Sequence, residues 1–233
     1  MKRIFFILVL FTFEISNIYS QEFSYKYGDV TNDELTMTVY QKDTTASAFV
    51  IYDKGNTYYQ ITNGYFNVVT ECQQKIKILK EEGVNNATIS ISFYYKSSSV
   101  REVIDKLEAT SYNLENGKLV KTKLEKSYIV EEDVINENYK RLKFSIPNAK
   151  VGSVIEFKYR KISNFSYNLD SWLIQREIPV IYSNYEIKIP EYFIYKIEVK
   201  GFEKVDVSET SENETFLIPS QNNMPQDPIS CQC

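Results

Sequence analysis

Residues 154–162 carry the clearest strand signal in the sequence: they read Val-Ile-Glu-Phe-Lys-Tyr-Arg-Lys-Ile and follow a turn at Val151-Gly152-Ser153. Aromatic and β-branched residues such as these favour a pleated, half-buried surface. The whole chain shares this bias, with 19 tyrosines and 14 phenylalanines against 7 glycines and 6 prolines. The sequence therefore predicts a β-rich globular domain and not a disordered chain.

Further strands are predicted on both sides of this segment. They cover residues 46–52, 57–61, 65–79, 88–95, 104–112, 119–124, 140–146, 172–181, 185–189 and 192–199. Asp53-Lys54-Gly55-Asn56 predicts one turn, and Asn116-Gly117 predicts another, because Asn-Gly is the strongest signal for a tight hairpin. Residues 128–139 fit either a strand or a surface loop.

One short helix is predicted near the beginning of this region. Thr31 and Glu34 match a capping box, which predicts a helix of about two turns. Short strands with turn-rich spacers and no repeat of fixed period are typical of a sandwich. The sequence therefore predicts an all-β fold, an antiparallel β-sandwich with one or two short helices.

The N-terminus has the three parts of a secretory signal peptide. Met1-Lys2-Arg3 is basic, residues 4–13 are almost entirely apolar, and Ser20 precedes the polar Gln21. The apolar run is shorter than the roughly 20 residues that span a bilayer. We expect a signal peptide over residues 1–20, a β-sandwich domain over 21–208 and a polar tail or truncated linker over 209–233. The alternative for the first segment is a buried strand or helix.

Composition excludes several functional classes. The net charge of −4 argues against nucleic-acid binding, which needs clustered Lys and Arg. The chain has no histidine, so zinc hydrolases, Ser-His-Asp hydrolases and Cys-His peptidases cannot be assembled from it. Cys72, Cys231 and Cys233 are too few for a disulfide framework and lack further metal ligands. We predict no catalytic residue, cofactor or metal, although paired carboxylates leave one enzymatic route open.

Exposed aromatic residues are the remaining candidates for a recognition surface. Tyr58, Tyr94 and Trp172 could stack on a sugar or contact a protein. The alternative is that such residues fill the sandwich core. Adjacent tyrosines on a strand point to opposite faces, so one of each pair is expected inside.

Six segments of the sequence carry a family resemblance: residues 46–55, 75–80, 112–118, 144–156, 172–175 and 178–180. Together they resemble the N-terminal domain of unknown function that precedes a transglutaminase-like domain in exported Gram-negative proteins. Residues 147–156, followed by the Trp172 and Pro179 segments, are the most specific part of the resemblance. The likeness covers about residues 30–205.

The resemblance implies a β-sandwich without catalytic residues of its own. In that family the Cys-His-Asp machinery belongs to the following domain, and this chain resembles a member truncated before it. We therefore expect a non-catalytic accessory domain that positions a peptidase domain or its protein substrate. Its expected location is the periplasm or outer surface of a Gram-negative bacterium, without a membrane span after signal cleavage. The alternative is a stand-alone glycan- or protein-binding module.

Overall fold

The computed structural model describes residues 22–133, 138–196, 198–200, 206 and 230–232. The expected signal peptide lies outside these residues, as does most of the expected tail. One α-helix, α1, spans Asn32–Thr36, and two short 3-10 helices span Glu81–Ala87 and Lys126–Tyr128. The strands are β1 (Ala48–Thr62), β2 (Tyr65–Ile78), β3 (Thr88–Tyr94), β4 (Val103–Glu115), β5 (Lys118–Lys123), β6 (Val130–Asp133), β7 (Tyr139–Ser145), β8 (Val154–Ser163), β9 (Ser183–Lys188), β10 (Ile194–Lys196) and β11 (Ser230–Gln232).

Two main sheets form the sandwich, which confirms the predicted fold class. The larger has six strands in the order β5-β4-β8-β2-β1-β9, and the smaller has three in the order β3-β7-β6. A separate pair joins β10 to β11. Pairing within the two main sheets is antiparallel except between β9 and β1, which run parallel.

The turn predicted at Asp53-Lys54-Gly55-Asn56 is wrong, because β1 runs straight through these residues. All four pair with β2, and the chain instead reverses at Asn63 and Gly64, both of which have positive φ. Polar residues and glycine mimic a turn locally, but ladder bonds on both sides of β1 hold this stretch extended. The turn predicted at Asn116-Gly117 is confirmed, with φ of 49° and 74°.

The strand predicted at residues 172–181 is also wrong. Only Val180 forms an isolated bridge, to Val50.

The ambiguous segment 128–139 contains β6 and the start of β7. The predicted capping box is confirmed: the Thr31 hydroxyl accepts the Glu34 amide, and the Glu34 carboxylate accepts the Thr31 amide.

Apolar clusters cover both faces of the six-stranded sheet, as the alternation of side chains along its strands requires. The cluster between the two main sheets includes Val50, Ile76, Ile78, Ile91, Phe144, Ile146, Ile155 and Phe157. The cluster on the opposite face joins the strands to the N-terminal segment, residues 22–40, and includes Leu35, Met37, Tyr40, Phe49, Ile51, Tyr112 and Val154. The N-terminal segment thus serves as the cover of one sheet face.

A fully buried charge cluster fixes the N-terminal segment to that face. Lys75 Nζ lies 3.6 Å from Glu34 Oε1 and 3.9 Å from Glu156 Oε1, and all three side chains are inaccessible to solvent. Lys75 Nζ also donates to the carbonyl oxygens of Ser24 and Asp29, at 2.8 and 2.6 Å. One ammonium group therefore joins a strand, the helix and the chain before the helix.

The two carboxylates of the charge cluster, those of Glu34 and Glu156, also bind the backbone of the N-terminal segment, by accepting its amides. Glu156 Oε2 accepts the Gly28 amide at 2.8 Å, and Glu34 Oε1 accepts the Ser24 amide at 2.8 Å. Glu156 also accepts the hydroxyl groups of Tyr52 and Tyr112. Burial raises the pKa of Glu34 and lowers that of Lys75, and the ion pairs and hydrogen bonds of the cluster oppose both shifts without cancelling them.

Neighbouring Lys77 extends the charge cluster along β2. Its Nζ donates to the carbonyl oxygens of Leu35 and Gly152, at 2.9 and 2.6 Å. Burial lowers the pKa of Lys77 to about 8.

Among the described residues, no helix is long and apolar enough to cross a membrane.

Replacing Lys75 with methionine should lower the free energy of unfolding by about 3–5 kcal/mol, because Glu34 and Glu156 would stay buried without a cation. Urea denaturation at pH 7 measures the change. Lys118→Met, at an exposed position of β5, is the matched control and should change stability by no more than about 0.5 kcal/mol. Equal stability of the two variants would contradict the assigned role of the cluster.

Candidate functional site

The segment between β8 and β9, residues 164–182, crosses the six-stranded sheet on the face opposite the N-terminal segment. We call it the strap. Its C-terminal part is hydrogen-bonded to β1: the Val50 amide donates to Pro179 O at 2.8 Å, the Ile181 amide to Val50 O at 2.9 Å, and the Asp53 amide to Tyr182 O at 2.9 Å. The strap is therefore held as a defined surface although it forms no regular strand.

Two ion pairs add to this attachment. Arg176 Nε donates to Asp53 Oδ2 at 2.8 Å, and the Asp53 side chain is almost fully buried. Burial raises the pKa of Asp53, while the adjacent guanidinium opposes that rise. Nearer the start of the strap, the Asp170 carboxylate forms an ion pair with the ammonium group of Lys161. Lys161 Nζ also lies 3.7 Å from Glu102 Oε1.

Trp172 lies flat against the sheet at the centre of the strap. Its ring stacks on Tyr185 of β9 with centroids 4.9 Å apart and planes 3° from parallel, and its Nε1 donates to Ser183 Oγ at 3.2 Å. Gly55 of β1 lies directly beneath the two rings. A Cβ there would be 2.5 Å from Trp172 and 2.7 Å from Tyr185, so the stack requires glycine at this position.

A small cavity of about 150 Å³ lies under the strap, lined by residues that include Cys72, Tyr159, Lys161, Trp172 and Arg176. Ligand pockets for small molecules usually measure about 300–1,000 Å³. The two cations in this lining are already paired with carboxylates. The cavity therefore suits an internal packing gap better than a binding site for a sugar or cofactor.

Cys72 contributes a thiol to this cavity lining, and its surroundings make it unreactive. Burial raises the pKa of its thiol to about 11, and the chain has no histidine to act as a base. The described residues also contain no group of three or more cysteine or acidic side chains that could hold a metal ion. The site offers an aromatic and apolar surface, and its cations Lys161 and Arg176 are paired with carboxylates.

The structure does not bring the three sequence-predicted recognition residues together. Trp172 belongs to the strap. Tyr58 lies on β1, where its hydroxyl is 3.5 Å from Glu71 Oε1, and adjacent strand positions such as Thr57 point to the opposite face. Tyr94 lies in the three-stranded sheet, with its ring against Tyr139 and Phe165. All three are half-buried, and no contact links them in the described part of the chain.

Sequence reasoning missed Leu173 and the Asp53–Arg176 pair. Leu173 follows Trp172 and is 64% exposed, which makes it one of the most accessible apolar side chains in the structure. The local pattern predicts a turn at Asp53 and contains nothing that connects this residue to Arg176. The available signal was Gly55: a glycine inside a strand often marks the close approach of another group.

Replacing Gly55 with alanine should displace Trp172 from Tyr185, because the new methyl group would occupy the space of both rings. Trp172 is the only tryptophan, so intrinsic fluorescence reports on the strap directly. We expect a red-shifted emission maximum and a loss of about 1–3 kcal/mol of stability. Gln60→Ala, exposed on the same strand, is the control. An unchanged spectrum in Gly55→Ala would disprove the close packing of Trp172 over this glycine.

Cys72 should resist alkylation by iodoacetamide at pH 8 in the native protein and react fully in urea, because its thiol is buried and protonated. Peptide mapping by mass spectrometry separates its modification from that of the other two cysteines. Rapid native modification of Cys72 would show instead that it is an accessible thiolate.

Comparison with known proteins gives one family. The profile of a family described as a domain of unknown function with solved structure (DUF3857) matches residues 66–225. Among solved structures, a Parabacteroides distasonis protein described as a "putative protease" is 16% identical, with a TM-score of 0.48. That likeness covers 62% of this chain and 29% of the other, so this chain spans less than a third of its length. A search of curated proteins found no match.

The matched region begins inside β2 and continues past β9. It leaves out β1 and the N-terminal segment, although β1 pairs with β2 along almost its whole length. Because the match covers well over half of the chain, the protein belongs to the DUF3857 family of domains of unknown function.

Proposed function

We propose that this protein is a non-catalytic interaction domain that acts beside a transglutaminase-like domain and positions that domain or its protein substrate. The observation that carries the proposal is the strap. It presents an exposed Leu173 beside the partly exposed Trp172, on a base fixed by hydrogen bonds, ion pairs and ring stacking.

The strap has the physical properties of a protein contact surface. Large apolar and aromatic side chains contribute most to binding when they are held in place before the partner arrives, since little conformational entropy is then lost. Trp172 cannot rotate freely between Tyr185 and Gly55, and Leu173 projects from its neighbour into solvent. Function is commonly carried by such irregular segments on a rigid scaffold.

The chemistry of the site supports a non-catalytic role. Its cysteine is buried and protonated, and its cations are neutralised by carboxylates. Histidine, the residue most often used as a general base near neutral pH, does not occur in the chain.

The sequence resemblance supports the choice of partner. Two of the segments that carry it, residues 172–175 and 178–180, lie on the strap, and a third, residues 46–55, forms the strand beneath it. Part of the sequence that carries the resemblance to a transglutaminase-associated module thus lies at the exposed apolar surface. The signal-peptide pattern supports export, and the location proposed for the partner is accordingly the periplasm or the outer surface.

The proposal predicts that the purified protein binds a transglutaminase-like domain taken from a bacterial protein in which the two modules are adjacent. Isothermal titration calorimetry measures the affinity. Leu173→Asp should weaken binding at least about tenfold, since it places a charge at the apolar centre of the contact. Leu119→Asp, an exposed leucine on β5, should bind like the wild type.

Two results would count against this function. If Leu173→Asp and Leu119→Asp bind equally well, the strap is not the contact surface. If the purified protein cleaves casein or incorporates a fluorescent amine into it, the domain is itself catalytic.

A further inference from the structure

A second cavity, of about 380 Å³, lies at the tip of the hairpin that β1 and β2 form. This volume falls within the range of about 300–1,000 Å³ that is usual for small-molecule sites, unlike the gap under the strap. The residues that line it are all uncharged, and they are polar or aromatic: Thr62, Asn63, Tyr65, Asn67 and Asn164. The hairpin tip therefore has both the room and the hydrogen-bonding groups of a ligand site.

Strand pairing brings four of these side chains onto one face of the six-stranded sheet. Thr62 and Tyr65 are paired across the hairpin, and directly opposite residues point to the same face. Asn67 follows Tyr65 by two positions and therefore points to that face as well. The last pair of the β2–β8 register lies one step before Asn67, and the next step sets Asn164 opposite it. A ring, a hydroxyl group and two amides thus meet where three strands end.

A tight turn holds the fifth lining residue. Asn63 and Gly64 connect β1 to β2 with φ of 54° and 81°, and two turn residues at positive φ match the natural twist of a hairpin. The Asn67 side-chain amide also donates to Tyr65 O at 3.2 Å, which orients that amide and leaves its Oδ1 as an acceptor. Strand pairing and the turn therefore shape the cavity before any ligand binds.

The lining presents accessible groups that can both donate and accept hydrogen bonds. The side chains of Thr62, Asn63 and Asn164 are exposed, and none has a hydrogen-bond partner in the described part of the chain. Tyr65, at 65% exposure, is the most accessible of the described large apolar and aromatic side chains. Amides and hydroxyl groups supply donors and acceptors together, and the tyrosine ring supplies an apolar face.

The chemistry of the lining favours a neutral, polyhydroxylated ligand. A phosphate or nucleotide is usually held by Arg or Lys, and a divalent cation by carboxylates, and the lining has neither. The nearest cation along β8 on this face, Arg160, donates from Nε to Asp105 Oδ1 at 2.7 Å. Carbohydrate hydroxyl groups donate and accept as amides do, and the C–H face of a pyranose ring packs on an aromatic ring.

We propose that this cavity binds one or two residues of a neutral carbohydrate, with a pyranose ring against Tyr65 and its hydroxyl groups bonded to the amides of Asn67 and Asn164. The contact makes use of the exposed ring and of amides that strand pairing has already placed. The inference goes beyond the proposed function, because it assigns a different ligand and does not depend on Trp172 or Leu173.

A printed array tests the class of ligand. It carries neutral glucan, mannan, xylan and galactan oligosaccharides, with oligogalacturonate and heparin fragments as charged comparisons. The purified chain should bind at least one neutral oligosaccharide more strongly than either charged one. Calorimetric titration with that oligosaccharide should give a dissociation constant of about 10 μM to 1 mM, as a small and polar contact implies.

Two pairs of variants locate the site. Tyr65→Ala should weaken binding at least about tenfold because the stacking ring is lost, whereas Tyr128→Ala, at an exposed tyrosine outside the cavity, should bind like the wild type. Asn164→Ala should weaken binding about three- to tenfold through one lost hydrogen bond, whereas Asn168→Ala, at another exposed asparagine, should not. An unchanged emission maximum of Trp172 shows that each variant is folded.

Nuclear magnetic resonance identifies the site in the unmodified chain. Titration with the same oligosaccharide should shift the side-chain amide resonances of Asn63, Asn67 and Asn164. The proposal is overturned if no neutral oligosaccharide binds, or if only the charged ones do. It is also overturned if Tyr65→Ala binds as well as Tyr128→Ala, or if the shifts are confined to residues outside the cavity.

Discussion

The ammonium group of Lys75 is the point at which the fold is tied together. It lies between Glu34 and Glu156 in a region without solvent, and the same three side chains hydrogen-bond the backbone at Ser24, Gly28 and Asp29. A buried charge that lost its partner would cost several kcal/mol. The N-terminal segment consequently cannot leave the six-stranded sheet without exposing an apolar face and separating these charges in one step.

The opposite face of the six-stranded sheet is covered by a different set of contacts. There the three-stranded sheet covers one half, and the strap covers the region beside it through backbone bonds to β1, the Asp53–Arg176 pair and the Trp172–Tyr185 stack. Because β1 and β2 contribute to both faces, the charge cluster on one side stabilises the strands on which the strap rests. The molecule thereby holds an irregular, partly apolar segment in a fixed place, which is the physical requirement for a contact surface.

Local sequence patterns predicted the elements whose stability is local. The capping box at Thr31, the Asn116-Gly117 turn and the strand at residues 154–162 all appear where they were expected. The failures share a cause: Asp53-Lys54-Gly55-Asn56 and residues 172–181 take their conformations from partners distant in sequence. For the site, the sequence identified Trp172 but gave no means of pairing Asp53 with Arg176, and it grouped Tyr58 and Tyr94 with a residue that neither contacts. The sequence shows which chemical groups the chain contains, whereas contacts between distant parts of the chain decide which of those groups lie together.

Native-state hydrogen exchange of three amides tests the central role of the charge cluster most directly. The amides of Ser24, Gly28 and Thr31 donate to the buried carboxylates of Glu34 and Glu156. If the N-terminal segment is integral to the sheet, these amides should open only with global unfolding, with the same free energy as the Ile78 amide in β2, which donates to Ser153 O. Exchange of the three amides at a free energy several kcal/mol below that of Ile78 would show that the segment detaches by itself, which would contradict the role of Lys75 in tying the fold together.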